Sequence, residues 1–382
     1  MPESRHPHLD ELKKIKDMQR QFHETVRLSI VEGTEDLVQK AEQLGKELGA
    51  NIIALKEKLD PFEQELHLQE QYESQITLLD QSGLLETLSN GGKGIKAMDK
   101  DGKPTIEYPI PTSEEIIEKL ISPEQREIFK TKIEQGFVKL LIVPFGLPLI
   151  NIAQAYQKAL QSHFDRQKLF HTKKEPTDPN EPITELHKDG PMYIWDKYNN
   201  ADATGELVYE PKKLEKDNHQ GKTKSEIVAQ KGGFKVLLIE DMPNIPREGN
   251  AIEKGGRTQI DTKGTTIAKY IEQGKDTPSP IEYLNALQTE SKIANSPYYQ
   301  EEPLTPEDQL IYALTHLEET DEVVDDYAGN GSISYQLGAY FPSSGYVPYA
   351  CWARDVRRFS LDGFVVGSRD GFCGVRSAVG VY

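Results

Sequence analysis

The chain has 382 residues, enough for two or three domains, each with its own core. Its formal net charge of -17 argues against a general binder of nucleic acid or anionic membrane, because affinity for phosphate is supplied mainly by Lys and Arg. The two cysteines, Cys351 and Cys373, are too few for a secreted disulfide framework.

From Met1 to about Leu28 the sequence is charged throughout and lacks a signal-peptide core. The spacing of Leu9, Leu12, Ile15, Phe22 and Val26 predicts a helix, and Leu37, Ala41, Leu44 and Leu48 predict a second after a break at Gly33. A third is predicted from Asp60, where an Asp N-cap, Pro61 and Glu63 make a start signal ahead of an apolar stripe through Phe62, Leu66, Ile76 and Leu79. Such helices form a hairpin, a bundle or a coiled coil, so residues 1–90 are expected to be a helical module that self-associates or docks on a partner.

Gly91, Gly92 and Gly94 mark the next boundary, and Asp101 with Gly102 suits a tight hairpin turn. Residues 91–178 read as a mainly helical connecting region, with helices starting near Ser113 and Ser122, an apolar run from Phe137 and a polar helix to about Gln167. The apolar run is interrupted by Lys139, Pro144 and Pro148 and is too short for a membrane span. A soluble, cytoplasmic protein is therefore expected, with display on a virion or cell surface left open. The segment from His171 to Pro182, rich in Lys, Pro, Asp and Glu, reads as a linker.

Residues 179–382 read as an α+β domain. Strands are predicted at Met192 to Trp195, Glu206 to Tyr209 and Phe234 to Glu240. Two helices carry matched start signals, Ser279, Pro280 and Glu282, then Thr305, Pro306 and Asp308. A loop-rich end closes with a short strand over Gly374 to Val379.

Catalytic and metal chemistry leave little trace. The histidines are scattered, HExxH and CxxC do not occur, and Asp99, Asp101 and Gly102 miss the spacing of an EF-hand loop. Gly91, Gly92, Lys93 and Gly94 lack the GxxxxGK[ST] pattern and read as a hinge. The acidic group Asp321, Glu322, Asp325 and Asp326 reads as a solvated helix end. No nucleophile, base and orienter assemble, so neither an enzyme nor a bound cofactor or metal is expected.

The C-terminus differs in kind. Gly345 to Tyr382 contains no Lys, Glu, Gln or Met, although the rest of the sequence is rich in the first three. Tyr346, Tyr349, Phe359, Phe364 and Phe372, with Val356 and Leu361, are spread over loop-like sequence that shows hardly any apolar period. Arg354, Arg357, Arg358, Arg369 and Arg376 outnumber Asp355, Asp362 and Asp370 there. Such a mixture suits an aromatic, arginine-rimmed patch for protein recognition, with most of the arginines expected to pair within the fold.

The block YQLGAYFPSSGYVPYACWARDVRRFSLDGFVVGSRDGFCGVRSAV resembles the C-terminus of variable proteins diversified by retroelements. Those proteins carry a C-type-lectin-like domain akin to the formylglycine-generating-enzyme fold. The resemblance runs from about Thr305 onward and, loosely, back to about Pro182. In that family, template adenines are mutated during reverse transcription, and the codons reached exclude Lys, Glu, Gln, Met and Trp. None of the five occurs between Ala353 and Tyr382.

The resemblance implies a ligand-binding protein with a variable region at about 345–376 on a fixed scaffold, and a protein as its ligand. Carried onto this sequence, the variable positions are Tyr346, Tyr349, Ala353, Val356, Phe359, Ser360, Phe364, Ser368, Asp370 and Phe372. The scaffold positions are Trp352, Arg354, Arg357, Gly374, Val375, Arg376, Ser377 and Ala378. Enzymes sharing the fold use a close cysteine pair, but Cys351 and Cys373 lack the CxxxxC spacing and are expected to be free buried thiols. The rival reading is a structural or assembly protein acting through its N-terminal helices, with the lectin-like domain as a cap.

Overall fold

A computed structural model describes residues 9–58, 67–98, 104–173, 177–329 and 331–382. The protein forms two compact units, the first ending at Leu68 and the second running Gln69–Tyr382. The predicted start of the third helix at Asp60 and the predicted turn at Asp101 and Gly102 lie outside the described residues.

The first unit holds helices Leu9–Glu32 and Glu35–Lys58, packed side by side. Gly33, at φ +65°, ends the first helix and returns its N–H to the Ser29 carbonyl, a conformation that costs a side-chain-bearing residue more. Lys14 Nζ donates to Asn51 Oδ1 at 3.4 Å, so the open ends of the hairpin meet. Among its described side chains within residues 14–52 only Thr25 and Ala41 are buried, whereas Ile30 is 78% and Val31 74% exposed.

The second unit contains the two largest sheets and takes in more of the sequence than expected. Helix Leu68–Gln81 belongs to it from Gln69 on, because Gln75 is buried and donates to Thr315 Oγ1 at 2.9 Å. The expected boundary near residue 90 is therefore displaced. The region 91–178 is no connector either. Strand Phe137–Val143 pairs antiparallel with Lys235–Glu240, and helix Leu149–Asp165 packs on helix Pro306–Thr320. The linker expected at His171 to Pro182 is anchored where it is described: Phe170 N–H donates to Asp321 O, His171 N–H to Glu181 O, and Thr172 is buried.

Four strands form one antiparallel sheet in the order Glu301–Pro303, Ser377–Gly380, Lys235–Glu240, Phe137–Val143. A second, mixed sheet runs Cys373–Val375, Ile333–Tyr335, Tyr346–Ala353, Arg358–Val365, Met192–Ile194, with Asp326–Tyr327 also paired to Tyr346–Ala353. The single closing strand expected over Gly374 to Val379 is thus two strands in different sheets, divided at Arg376. Helix Pro306–Thr320 is buried continuously from Pro306 to Leu317, including Glu307, Asp308 and Gln309. Its start is the one its sequence signals: Thr305 accepts from the Asp308 N–H in a capping box, with Pro306 in the first turn. Ser279 and Glu282 make the same box at Pro280–Glu290. The architecture is α+β. No helix among the described residues is long and apolar enough to cross a membrane.

Candidate functional site

The C-terminal segment folds as a β-hairpin whose register sorts its side chains. Tyr346 pairs with Val365, Tyr349 with Asp362, Trp352 with Phe359 and Ala353 with Arg358. Because strand side chains alternate between faces, Tyr346, Pro348, Ala350 and Trp352 share one face with Phe359, Leu361, Gly363 and Val365. The end of this face that carries Trp352 and Phe359 turns inward, while Val365 at the other end is exposed. Phe359 is fully buried with its ring edge-on to Tyr156 at 4.9 Å, and Trp352 is fully buried beside it. Trp195 lies on Gly363, where an added Cβ would stand 2.4 Å from the indole, and its ring is 5.4 Å from Tyr346.

The opposite face carries Val347, Tyr349, Cys351 and Ala353 with Arg358, Ser360, Asp362 and Phe364. The register adds Tyr193 opposite Ser360, Tyr327 opposite Ala353 and Tyr335 opposite Tyr349. One end is covered: Val347, Tyr335, Cys373 and Val375 join a core with Tyr283, Leu284 and Leu287 of the Pro280–Glu290 helix. Tyr349 and Phe364 lean on that core half-buried, 6.2 Å apart and edge to face. Toward the hairpin turn, Arg358, Tyr193 and Tyr327 are half-buried around two recessed small residues, Ala353 and Ser360.

Four of the predicted variable positions, Tyr349, Ala353, Ser360 and Phe364, thus share one face. Two do not. Phe359 belongs to the core opposite Trp352, and Tyr346 lies on the inward face against Trp195, because each is one residue out of phase with the outward set. Ala353 and Ser360 are recessed rather than protruding, with 8% and 9% of their surface exposed. Val356 is exposed in the turn, while Ser368 and Asp370 sit in the loop after Val365. Phe372, 47% exposed, lies between the Arg247 guanidinium at 5.2 Å and the Tyr327 ring at 6.1 Å.

Face members Arg358, Asp362, Tyr193 and Tyr327 were missed from sequence. For the hairpin pair a signal existed: Arg358, Phe359, Ser360, Leu361, Asp362 alternate polar and apolar, the period of a half-buried strand. Tyr193 and Tyr327 reach the face only through pairing with distant strands.

The scaffold positions are held by buried polar contacts. Arg376 donates to Asp325, Met242 O and Pro243 O, and its guanidinium lies 5.0 Å from the Tyr312 ring centroid. Gly374, Val375, Ser377 and Ala378 are buried, and Ser377 Oγ donates to Glu301 at 2.6 Å. Arg354 grips Asp326 through Nε at 3.0 Å and Nη2 at 2.7 Å. Burial alone raises the Asp326 pKa, but His171 and Arg354 hold the carboxyl below its usual range. Arg357, at φ +57°, pairs with Glu185 at the turn. The acidic group after helix Pro306–Thr320 is therefore no solvated end: Asp325 and Asp326 are buried and bound to arginines.

Cys351 and Cys373 are free and buried, with strand Ile333–Tyr335 lying between theirs. Two strand spacings, about 10 Å, exceed the reach of a disulfide. Burial pushes the Cys373 thiol up to about 12 and Cys351 well above its ordinary value, which suits inert thiols. No group of His, Cys, Asp and Glu that suits a metal ion occurs among the described residues.

No protein-family model, curated protein or solved structure matches this sequence.

Proposed function

We propose that this is a ligand-binding protein of the retroelement-diversified kind, whose 345–376 segment presents a variable surface to a protein ligand from a lectin-like domain. The observation that carries this reading is compositional: Lys, Glu, Gln, Met and Trp are all absent from Ala353 to Tyr382. The hairpin register supports it, since Tyr349, Ala353, Ser360 and Phe364 lie together on the face opposite Trp352 and Phe359, with Tyr349 and Phe364 half-buried and Ala353 and Ser360 recessed between larger side chains. An aromatic patch rimmed by a guanidinium is the composition of a protein-recognition hot spot. Sequencing the locus tests the proposal. A nearby reverse-transcriptase gene and a near-repeat of the last coding stretch, differing at adenines, are expected; a locus without either rejects it.

The rival reading, assembly through the N-terminal helices, draws on the first unit. Its hairpin buries almost none of its described side chains, and Ile30, Val31 and Val38 stand exposed on it. Helices with so little core are stabilised by packing against something else. The two readings are compatible, because self-association would make a binding surface multivalent.

A further inference from the structure

Five arginines lie in the C-terminal segment, and four are committed to carboxylates. Arg354 pairs with Asp326 and Glu181, Arg357 with Glu185, Arg369 with Glu282 and Glu272, and Arg376 with Asp325. Arg358 is different. Among the described residues its guanidinium meets no carboxylate, Nε is buried without an acceptor, and Nη2 has none. Among the described residues the one side-chain atom within hydrogen-bond reach of it is His187 Nδ1, which lies 3.5 Å from Nη1 and also accepts from the Asp189 N–H.

The side chain is nevertheless held in place. The guanidinium lies 4.6 Å from the centroid of the Tyr193 ring, a cation–π contact that holds it without consuming a hydrogen-bond donor. Its strand neighbours on the same face are Ala353 directly opposite and Ser360 two residues on, both small, so little side-chain bulk stands beside it. With Nη2 and the second N–H of Nη1 unspent, a guanidinium on an aromatic support is pre-organised for a planar, two-oxygen acceptor. The net charge of -17 makes the commitment of the other four arginines unsurprising and the isolation of this one informative.

We propose that Arg358, stacked on Tyr193, is the anchor for a carboxylate of the bound protein, supplied either by an Asp or Glu residue or by the ligand's own C-terminus. The inference rests on reading this face as the binding surface, and it adds the chemistry of the contact. It also places a residue from outside the variable segment, Tyr193, in the site as a positioning residue.

The test follows the Arg Nε–H resonances of the isotope-labelled full-length protein while three short acetylated peptides are added at constant ionic strength. One has a central Glu and an amidated end, one is neutral with a free C-terminal carboxylate, and one is neutral and amidated. The Arg358 resonance, assigned by its loss in Arg358→Gln, is expected to shift saturably with a carboxylate peptide and not with the neutral amide. Whichever carboxylate peptide binds identifies the source. In the variants binding is followed on the backbone amide resonances of Ala353 and Ser360; Arg358→Lys should weaken it about tenfold, because an ammonium keeps the charge and loses the fork. Arg358→Gln should abolish it while leaving the denaturation midpoint unchanged. Ala353→Leu, which fills the space beside the guanidinium without altering it, should weaken binding as well and serves if Arg358→Gln does not fold. No saturable shift with either carboxylate peptide, an equal shift with the neutral amide, or unchanged binding in a folded Arg358→Gln would overturn the proposal. The locus test reads codons and this one reads a side chain, so the two fail separately.

Discussion

Arg376 Nη2 lies 2.6 Å from Asp325 Oδ1 with both side chains buried, at the point where the backbone passes from the mixed sheet to the antiparallel one. Asp325 also accepts from the Ile245 N–H and from Gln309, so the pair joins the 241–245 loop, helix Pro306–Thr320 and the last strands. Removing one partner of a buried ion pair leaves the other uncompensated. Arg376→Leu is therefore expected to destabilise the second unit by about 3 to 5 kcal/mol, and Arg376→Leu with Asp325→Asn by less than the sum of the single changes. Denaturant titration of the three variants checks it, and additive losses would mean that the two side chains act independently.

The hairpin's buried aromatics and the exposed Phe372 should respond oppositely to truncation. Phe359→Ala and Trp352→Ala are expected to cost about 3 to 5 kcal/mol each, as for large buried side chains. Phe372→Ala, at an exposed position, should stay within roughly 1 kcal/mol, its contacts being one ring edge and one cation–π pair. Chemical denaturation separates these outcomes. Equal losses at Phe359 and Phe372 would show that Phe372 is part of the core.

His316 gives the second unit a dependence on pH. Burial holds this imidazole at about 4, below its ordinary 6.5, and neither ring nitrogen has a hydrogen-bond partner. The unfolded state takes up the proton first as pH falls, so the stability from keeping His316 neutral is fully present above 6.5. It is lost progressively between 6.5 and 4. Between pH 7 and pH 5 the loss should be about 2 kcal/mol. In His316→Leu that part of the slope should disappear. Denaturation midpoints at the two pH values measure it, and an unchanged slope in the variant would assign the dependence elsewhere.

The thiols should be unreactive in the folded protein. Ellman's reagent is expected to label neither Cys351 nor Cys373 until denaturant unfolds the second unit, and then both, because each thiol is buried and its pKa raised. Rapid labelling of either under native conditions would contradict the burial. Mass spectrometry after oxidation should find no bond between them.

The exposed apolar residues of the N-terminal hairpin bear on assembly. Replacing Ile30, Val31 and Val38 together by Lys should lower the solution mass measured by light scattering if the hairpin associates with copies of itself. An identical mass for wild type and variant would leave self-association without support.

Signals confined to a few neighbouring residues were legible in the sequence. The starts of helices Pro280–Glu290 and Pro306–Thr320 stand where Ser279 and Thr305 announce them, and the FKVLLIE run is the strand Lys235–Glu240. Capping and alternation are short-range physics, satisfied by backbone groups three residues away or by the next side chain. The hairpin's own alternation at Arg358 to Asp362 was equally local and was overlooked beneath the loop-like composition around it.

Only the tertiary structure decided the rest. Nothing in the order of residues states that Phe137–Val143 pairs with Lys235–Glu240, that Arg376 divides the last run between two sheets, or that Tyr193 stands beside Arg358. Each depends on strand pairing between segments far apart in sequence. A shift of one residue in that register moves every side chain of a strand to the other face. That is why Phe359 lies in the core and Ser360, its neighbour in sequence, lies on the candidate binding face.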